Sequence, residues 1–171
     1  MKDNERSPKT SQVINLAQGQ GGSGGRIDAL QDLNNEDISL AGVDVSGAFL
    51  SGVNLQGAYL KSADLQGANL WGANLQEAVL TKADLQGALL WEANLQKAVL
   101  TKADLQGVDL MRTNLEGAYL ERANLQGVKN LTVEQLCTTH TLYKAKGLSP
   151  KMLAELKEKY PHLLKRQRDG K

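Results

Sequence analysis

Cys137 and His140 stand in a C-x-x-H spacing, which could pair a thiolate with a base or supply half of a metal site. Neither use finds the rest of its set. Cys137 is the one cysteine of the chain, and the other histidine is His162. Two residues on one face of a helix give the same spacing with no chemistry attached. Asp44, Asp64, Asp84 and Asp104 form a second candidate, recurring every 20 residues. Carboxylates whose oxygens converge can hold calcium or magnesium. A carboxylate at a chain corner also accepts a nearby backbone N–H, and Lys82 and Lys102 precede Asp84 and Asp104 by two residues, so the column reads as structural. There is no phosphate loop, nucleophile elbow or zinc-protease motif, and the glycines of GQGGSGG lack the strand and helix that phosphate binding requires. The expectation is a protein without catalytic residue, cofactor or metal.

The 171 residues suffice for one domain with a substantial core. Lys and Arg total 20 against 19 Asp and Glu, and the net charge of +1 excludes a globally acidic or basic molecule. The balance shifts along the chain, from −2 over residues 1–37 and −2 over 38–130 to +5 over 131–171. The basic end around Lys165, Arg166 and Arg168 has no interleaved aromatics for base stacking, so it reads as a solvated tail and nucleic acid is not the expected partner. No apolar run comes near the roughly 18 residues of a membrane span. MKDNERSPKTSQVINLAQGQ holds no continuous apolar stretch of the kind a secretion signal needs. A soluble cytoplasmic protein without membrane contact is expected.

The elements that must position any site fall into five stretches. Residues 1–25 read as a flexible Gly/Ser-rich tail, with Val13, Ile14 and Leu16 its main apolar residues. Residues 26–37 place Ile27, Leu30 and Leu33 three apart, which suits a short helix. From 38 to 130 a period of five takes over. Of the 18 positions from Leu40 to Leu125, 17 are Leu, and Ala stands at 13 of the 19 positions two residues earlier, from 38 to 128. Asp or Asn mostly separates the two. Residues 131–164 return to helical spacing, with a capping-box pair at Thr132 and Gln135, then Ser149 and Pro150 ahead of Met152, Leu153, Leu156 and Tyr160. Residues 165–171 form the basic tail.

Five fits neither a helix nor a strand, but it fits a compromise. In small-x-Leu the first and third residues point inward as in a strand, and the next two turn a corner. The column Gly47, Gly67, Gly87, Gly107, Gly127 then implies positive φ at the corner. Residues 66–85 and 86–105 differ at three positions of 20, so four pentapeptides make one coil. The pattern A-[D/N]-L-x-x, clearest in ADLQG, ANLQE and ANLWG, resembles the pentapeptide-repeat family. That resemblance implies an all-β solenoid, a right-handed quadrilateral β-helix, here of about 4.5–5 coils with short helical caps at both ends. At ~4.8 Å per coil the rod is roughly 22 Å long, and Leu fills its centre without a lumen.

The resemblance says little about function, because the repeat is a building unit. A non-enzymatic scaffold binding a protein partner through one outer face is expected. The alternative is a DNA mimic modulating a topoisomerase such as DNA gyrase, as with relatives resembling quinolone-resistance factors. Against it, the repeat region is only −2, its columns alternate in sign, and Phe is missing from the inward position. Trp71, Trp91 and Met111 fall in one outward column, with the indoles spaced to stack, and Leu89 replaces the usual Asp or Asn beside them. The strip reads either as a docking surface for a partner or a second copy, or as a local ladder under the N-terminal arm. The opposite side carries the outward column Tyr59, Val79, Val99 and Tyr119. Glu77 with Lys97, and Glu92 with Arg112, should pair across coils, and the outward glutamines should form amide ladders.

Overall fold

The computed structural model describes residues 24–166. Its body is a four-sided coil in which each pentapeptide contributes one bridge residue, paired in parallel with the residue 20 positions on. Four outward columns result. Face 1 carries Asp44, Asp64, Asp84, Asp104 and Asn124; face 2 carries Phe49, Asn69, Leu89, Asp109 and Lys129. Face 3 carries Asn54, Asn74, Asn94 and Asn114, and face 4 carries Tyr59, Val79, Val99 and Tyr119. The Leu and Ala columns between them are almost wholly buried and form one continuous core. A buried Leu contributes about 1.5–3 kcal/mol, so stability accumulates coil by coil.

Each repeat offers five backbone N–H groups, and the coil accounts for them one by one. Around Asn69, the Asn69 N–H donates to Ala48 of the coil before, and the Leu70 N–H to Leu89 of the coil after. The Gly72 N–H reaches Trp91, and the Ala73 N–H closes the corner on Leu70. The fifth, on Trp71, has no backbone acceptor in reach and donates to Asn69 Oδ1 at 3.1 Å. This is why Asp and Asn recur. The residue two past each Leu has φ near +60°, as in Gly67 at +62°, but Lys82, Lys102 and Arg122 adopt the same conformation without being glycine.

Helix α1 (Gly24–Asn35) lays Leu30 and Leu33 on the core of the first coil. Its Gln31 side chain accepts from the Asn54 N–H, and Asn34 donates to the Gln56 carbonyl. The helix thus begins two residues before the expected 26–37 and ends two earlier, taking in Gly24 and Gly25 from the stretch assigned to the tail. The rest of that stretch, residues 1–23, lies outside the described residues, as do 167–171 of the basic tail.

At the other end, α2 (Val133–Cys137) starts on the expected capping box: Thr132 Oγ1 accepts from the Gln135 N–H, and Gln135 Oε1 from the Thr132 N–H. The Gln135 amide also donates to the Leu110 carbonyl, which the Thr113 N–H already shares, and to the Thr113 carbonyl. The expectation of a wholly helical 131–164 needs correction. After α2 the chain rejoins the coil, pairing Tyr119 with Thr141 and Asn124 with Lys146. Two extra residues around α2 lengthen the spacing from 20 to 22, which hid the return from a search for fives. Gly147 then takes the place a Leu would hold, and a Cβ there would collide with the Gln126 backbone. Ser149 and Pro150 open α3 (Pro150–Lys159) as expected, and a 3₁₀ turn (Pro161–Leu164) buries Leu163.

Candidate functional site

The Asp column does corner work. Asp64, Asp84 and Asp104 each accept the N–H two residues on at 3.0 Å. Among the described residues no group of His, Cys, Asp and Glu could hold a metal ion. Cys137 and His140, expected on one helix, are separated by the end of α2. The thiol donates to the Glu134 carbonyl, while the His140 ring lies on Tyr119 with centroids 4.3 Å apart. Interaction with the Cys137 side chain, followed by desolvation, raises the Tyr160 hydroxyl above its ordinary pKa. Nothing in this arrangement brings a nucleophile to a base.

Face 2 collects apolar surface. Phe49 is 69% exposed, Trp71 54%, Trp91 38%, and Leu89 and Met111 37% each. The one other exposed large apolar side chain among the described residues is Tyr119, on face 4. The structure therefore unites the expected strip of Trp71, Trp91, Met111 and Leu89 and adds Phe49, whose place in the same column as Leu89 was the available signal. The indoles do not stack as expected. Trp71 Nε1 donates to Glu92 Oε2 at 3.3 Å, and Glu92 Oε1 accepts from Arg112 at 3.2 Å. Trp91 lies by Asp109 and helps to lower its carboxyl pKa. Each indole thus stands beside a carboxylate one coil on.

Asp109 is the buried charge of this face. Burial acts to raise its carboxyl, but bonds from Asn130, Trp91 and the Met111 N–H, with Lys129 nearby, outweigh that and hold it below the ordinary carboxylate range. Glu77 and Lys97 approach to 4.0 Å, and Glu92 and Arg112 pair as expected. All four are exposed, so these contacts are worth little. The expected glutamine ladders are replaced by mixed ones. Gln66 donates to Asp84, Gln96 to Glu116, and Asn74 to Asn54. Carboxylates and Asn carbonyls of the adjacent coil compete for the amides.

Face 4 holds the second expected column, Tyr59, Val79, Val99 and Tyr119. Beyond it runs a corner column of Lys82, Lys102, Arg122 and Lys144, all exposed.

A four-sided coil with a 20-residue rung, a filled Leu core and no open lumen defines a β-solenoid whose chemistry is confined to its outer faces. The chain belongs to the pentapeptide repeat family, which matches it in 8 copies over residues 36–72, 58–90, 78–117 and 90–127. Among solved structures it is similar to a pentapeptide repeat protein from the thylakoid lumen of Arabidopsis thaliana, at 29% identity over 70% of this chain and 74% of that one (TM-score 0.44). It is also similar to a pentapeptide repeat protein from Nostoc PCC 7120, at 26% over 70% and 94% (TM-score 0.43). QnrB1, a plasmid-mediated fluoroquinolone resistance protein, is matched at 17% over 66% and 62% (TM-score 0.50). Family membership and the likeness of fold to QnrB1 imply a right-handed quadrilateral β-helix. No curated protein matches the sequence. No helix among the described residues is long and apolar enough to cross a membrane.

Proposed function

We propose that the chain is a non-enzymatic scaffold that docks a protein partner on face 2, with Trp71 and Trp91 as anchors and Phe49, Leu89 and Met111 around them. In this reading α1 and residues 131–164 cap the two ends of about 4.5–5 coils, so that the sides are left for binding. The observation that carries the proposal is the gathering, on face 2 and the corner that follows it, of five of the six exposed large apolar side chains among the described residues. Contiguous exposed apolar surface is uncommon on monomers, and Trp and Met are enriched at interface centres. The Trp71 indole N–H is already bonded to Glu92, and Trp91 stands beside Asp109, so the strip is ordered before a partner arrives. A second copy of the chain is the other occupant that the apolar character suits.

The test combines a double variant, Trp71→Gln with Trp91→Gln, sedimentation mass and capture of partners from native lysate. Loss of a captured protein, or a fall in mass, supports face 2. Unchanged mass and unchanged captured proteins would remove its binding role. The gyrase alternative fits less well: Lys82, Lys102 and Arg122 run along the edge of the Asp column, and mimicry of a polyanion needs a sustained negative field. Titration of the protein into a supercoiling assay separates the two readings.

A further inference from the structure

The fifth N–H of each repeat is satisfied only where the outward bridge residue carries an oxygen. On faces 1 and 3 Asp or Asn supplies it at every coil, as Asp84 does for Gln86 and Asn94 for Gln96. On face 4 the bridge residues are Tyr59, Val79, Val99 and Tyr119, none with a side-chain oxygen close to the backbone. The N–H groups of Lys61, Thr81, Thr101 and Glu121 accordingly have no partner among the described residues. The rung after Tyr119 restores the rule, Thr141 Oγ1 accepting from the Tyr143 N–H. Four stacked donors are thus left open in adjacent coils, ~4.8 Å apart.

The flanks of this line are as ordered as the line itself. On one side lies the half-buried apolar column of Val79 and Val99. On the other stand Lys82, Lys102 and Arg122, with φ of 61°, 61° and 59°. Among the described residues no ion pair involves these three, whereas the Glu77–Lys97 and Glu92–Arg112 columns pair opposite charges across coils. Stacked like charges directly opposite one another are destabilising, so the basic column lacks the compensation that the other two have.

We propose that face 4 and its basic corner bind an acidic amphipathic helix of a protein partner, whose carboxylates fill the oxygen positions missing at residues 59, 79, 99 and 119. Carboxylates three or four residues apart on a helix recur every ~4.5–6 Å along its axis, close to the coil spacing. The apolar stripe of such a helix meets Val79 and Val99 while its acidic stripe meets Lys82, Lys102 and Arg122. A helix is about 10–12 Å across and can lie on one side of the coil. A wider polyanion would also meet Asp64, Asp84 and Asp104 around the corner, which repel it; this favours a peptide over nucleic acid. The proposal is independent of face 2.

The test uses the full chain and a fluorescein-labelled 18-residue helical peptide with Glu at i, i+4, i+7 and i+11 beside a Leu stripe. Controls are a scrambled peptide of the same composition and a single-stranded 20-mer oligonucleotide. Anisotropy titrations should show at least tenfold tighter binding of the ordered peptide than of either control, weakening between 50 and 300 mM salt. Val79→Asn with Val99→Asn returns the missing oxygens to the chain and should reduce peptide binding at least tenfold without lowering the melting temperature. Lys82→Gln with Lys102→Gln should reduce it similarly, and Trp71→Gln with Trp91→Gln should leave it unchanged. Absence of peptide binding overturns the proposal. So does equal binding of the scrambled peptide or the oligonucleotide, or full binding by the Val79→Asn, Val99→Asn variant.

Discussion

Faces 1 and 4 are built on the same backbone and meet at one corner, yet they treat the same N–H group in opposite ways. On face 1 a carboxylate closes it at every coil from Asp44 to Asp104, and the next residues are Ser or Gln. On face 4 Val79 and Val99 leave it open, and a row of cations follows. The coil tolerates both because its stability comes from the Leu and Ala columns inside. What the outer columns decide is whether a face is finished within the chain or waits for something else to finish it.

Leu85→Asp should abolish the distinction altogether. Leu85 is fully buried between faces, and an unpaired carboxylate there costs several kcal/mol, enough to unfold a domain of ordinary stability. Gln86→Asp, one residue later and outward, should fold normally. Equal losses of melting temperature in the two variants would show that the inward assignment is wrong.

Removing residues 131–171 should act next most strongly. It strips the rung of Thr141 and Lys146 from Tyr119 and Asn124, and with it Leu136, Leu142 and Leu156 from the core. Exposed coil ends offer both apolar side chains and unpaired backbone groups, so the shortened protein should self-associate. A monomer of unchanged melting temperature by sedimentation and thermal unfolding would refute the capping role.

The coil itself was legible because a period of five leaves few structural solutions. The core positions, the corner glycines, the Thr132–Gln135 box, the Ser149 cap and the Glu92–Arg112 pair all follow from position in the repeat. What escaped was whatever broke the period or depended on competition. The rung at Thr141 was hidden by the two-residue shift around α2, which made TLYKAKG look like part of a helical end. The indoles of Trp71 and Trp91 were spaced to stack, but each stands beside a carboxylate one coil on, and Glu92 offers the Trp71 N–H a bond that stacking does not. Face 4 could be seen as an apolar column in the sequence. That its valines leave donors open emerges only when every N–H is followed to an acceptor.

Exchanging the corner chemistry of two faces sharpens the comparison directly. Asn94→Val gives face 3 the side chain of face 4, orphans the Gln96 N–H and breaks the link to Asn114. The loss of these partly exposed bonds should cost about 1 kcal/mol. Val79→Asn makes the reverse exchange and should be neutral or stabilising by some tenths of a kcal/mol, as expected for one additional exposed bond. Urea unfolding of both variants gives the two signs. A destabilising Val79→Asn would mean that the apolar column, rather than the open N–H, governs face 4.

The smallest effect concerns Asp109, the one place where face 2 keeps the corner carboxylate that face 1 keeps throughout. Its carboxyl is held below the ordinary carboxylate range despite burial, chiefly by Asn130 and Trp91. A carboxyl whose folded pKa is depressed contributes stability that is present above the unfolded value and lost as pH falls through the folded one. Wild type should therefore exceed Asp109→Asn in stability at pH 7, and the gap should narrow only below about pH 4. Thermal melts of the pair from pH 7 down to pH 2.5 follow this directly. A gap that stayed constant through the acid range would assign Asp109 a packing role alone, and Trp91 fluorescence would then be expected to shift in the variant at every pH. A gap that closes in acid, with Trp91 emission shifting over the same interval, would show that the ionised carboxylate orients the indole on face 2, as its counterparts on face 1 orient the corner N–H.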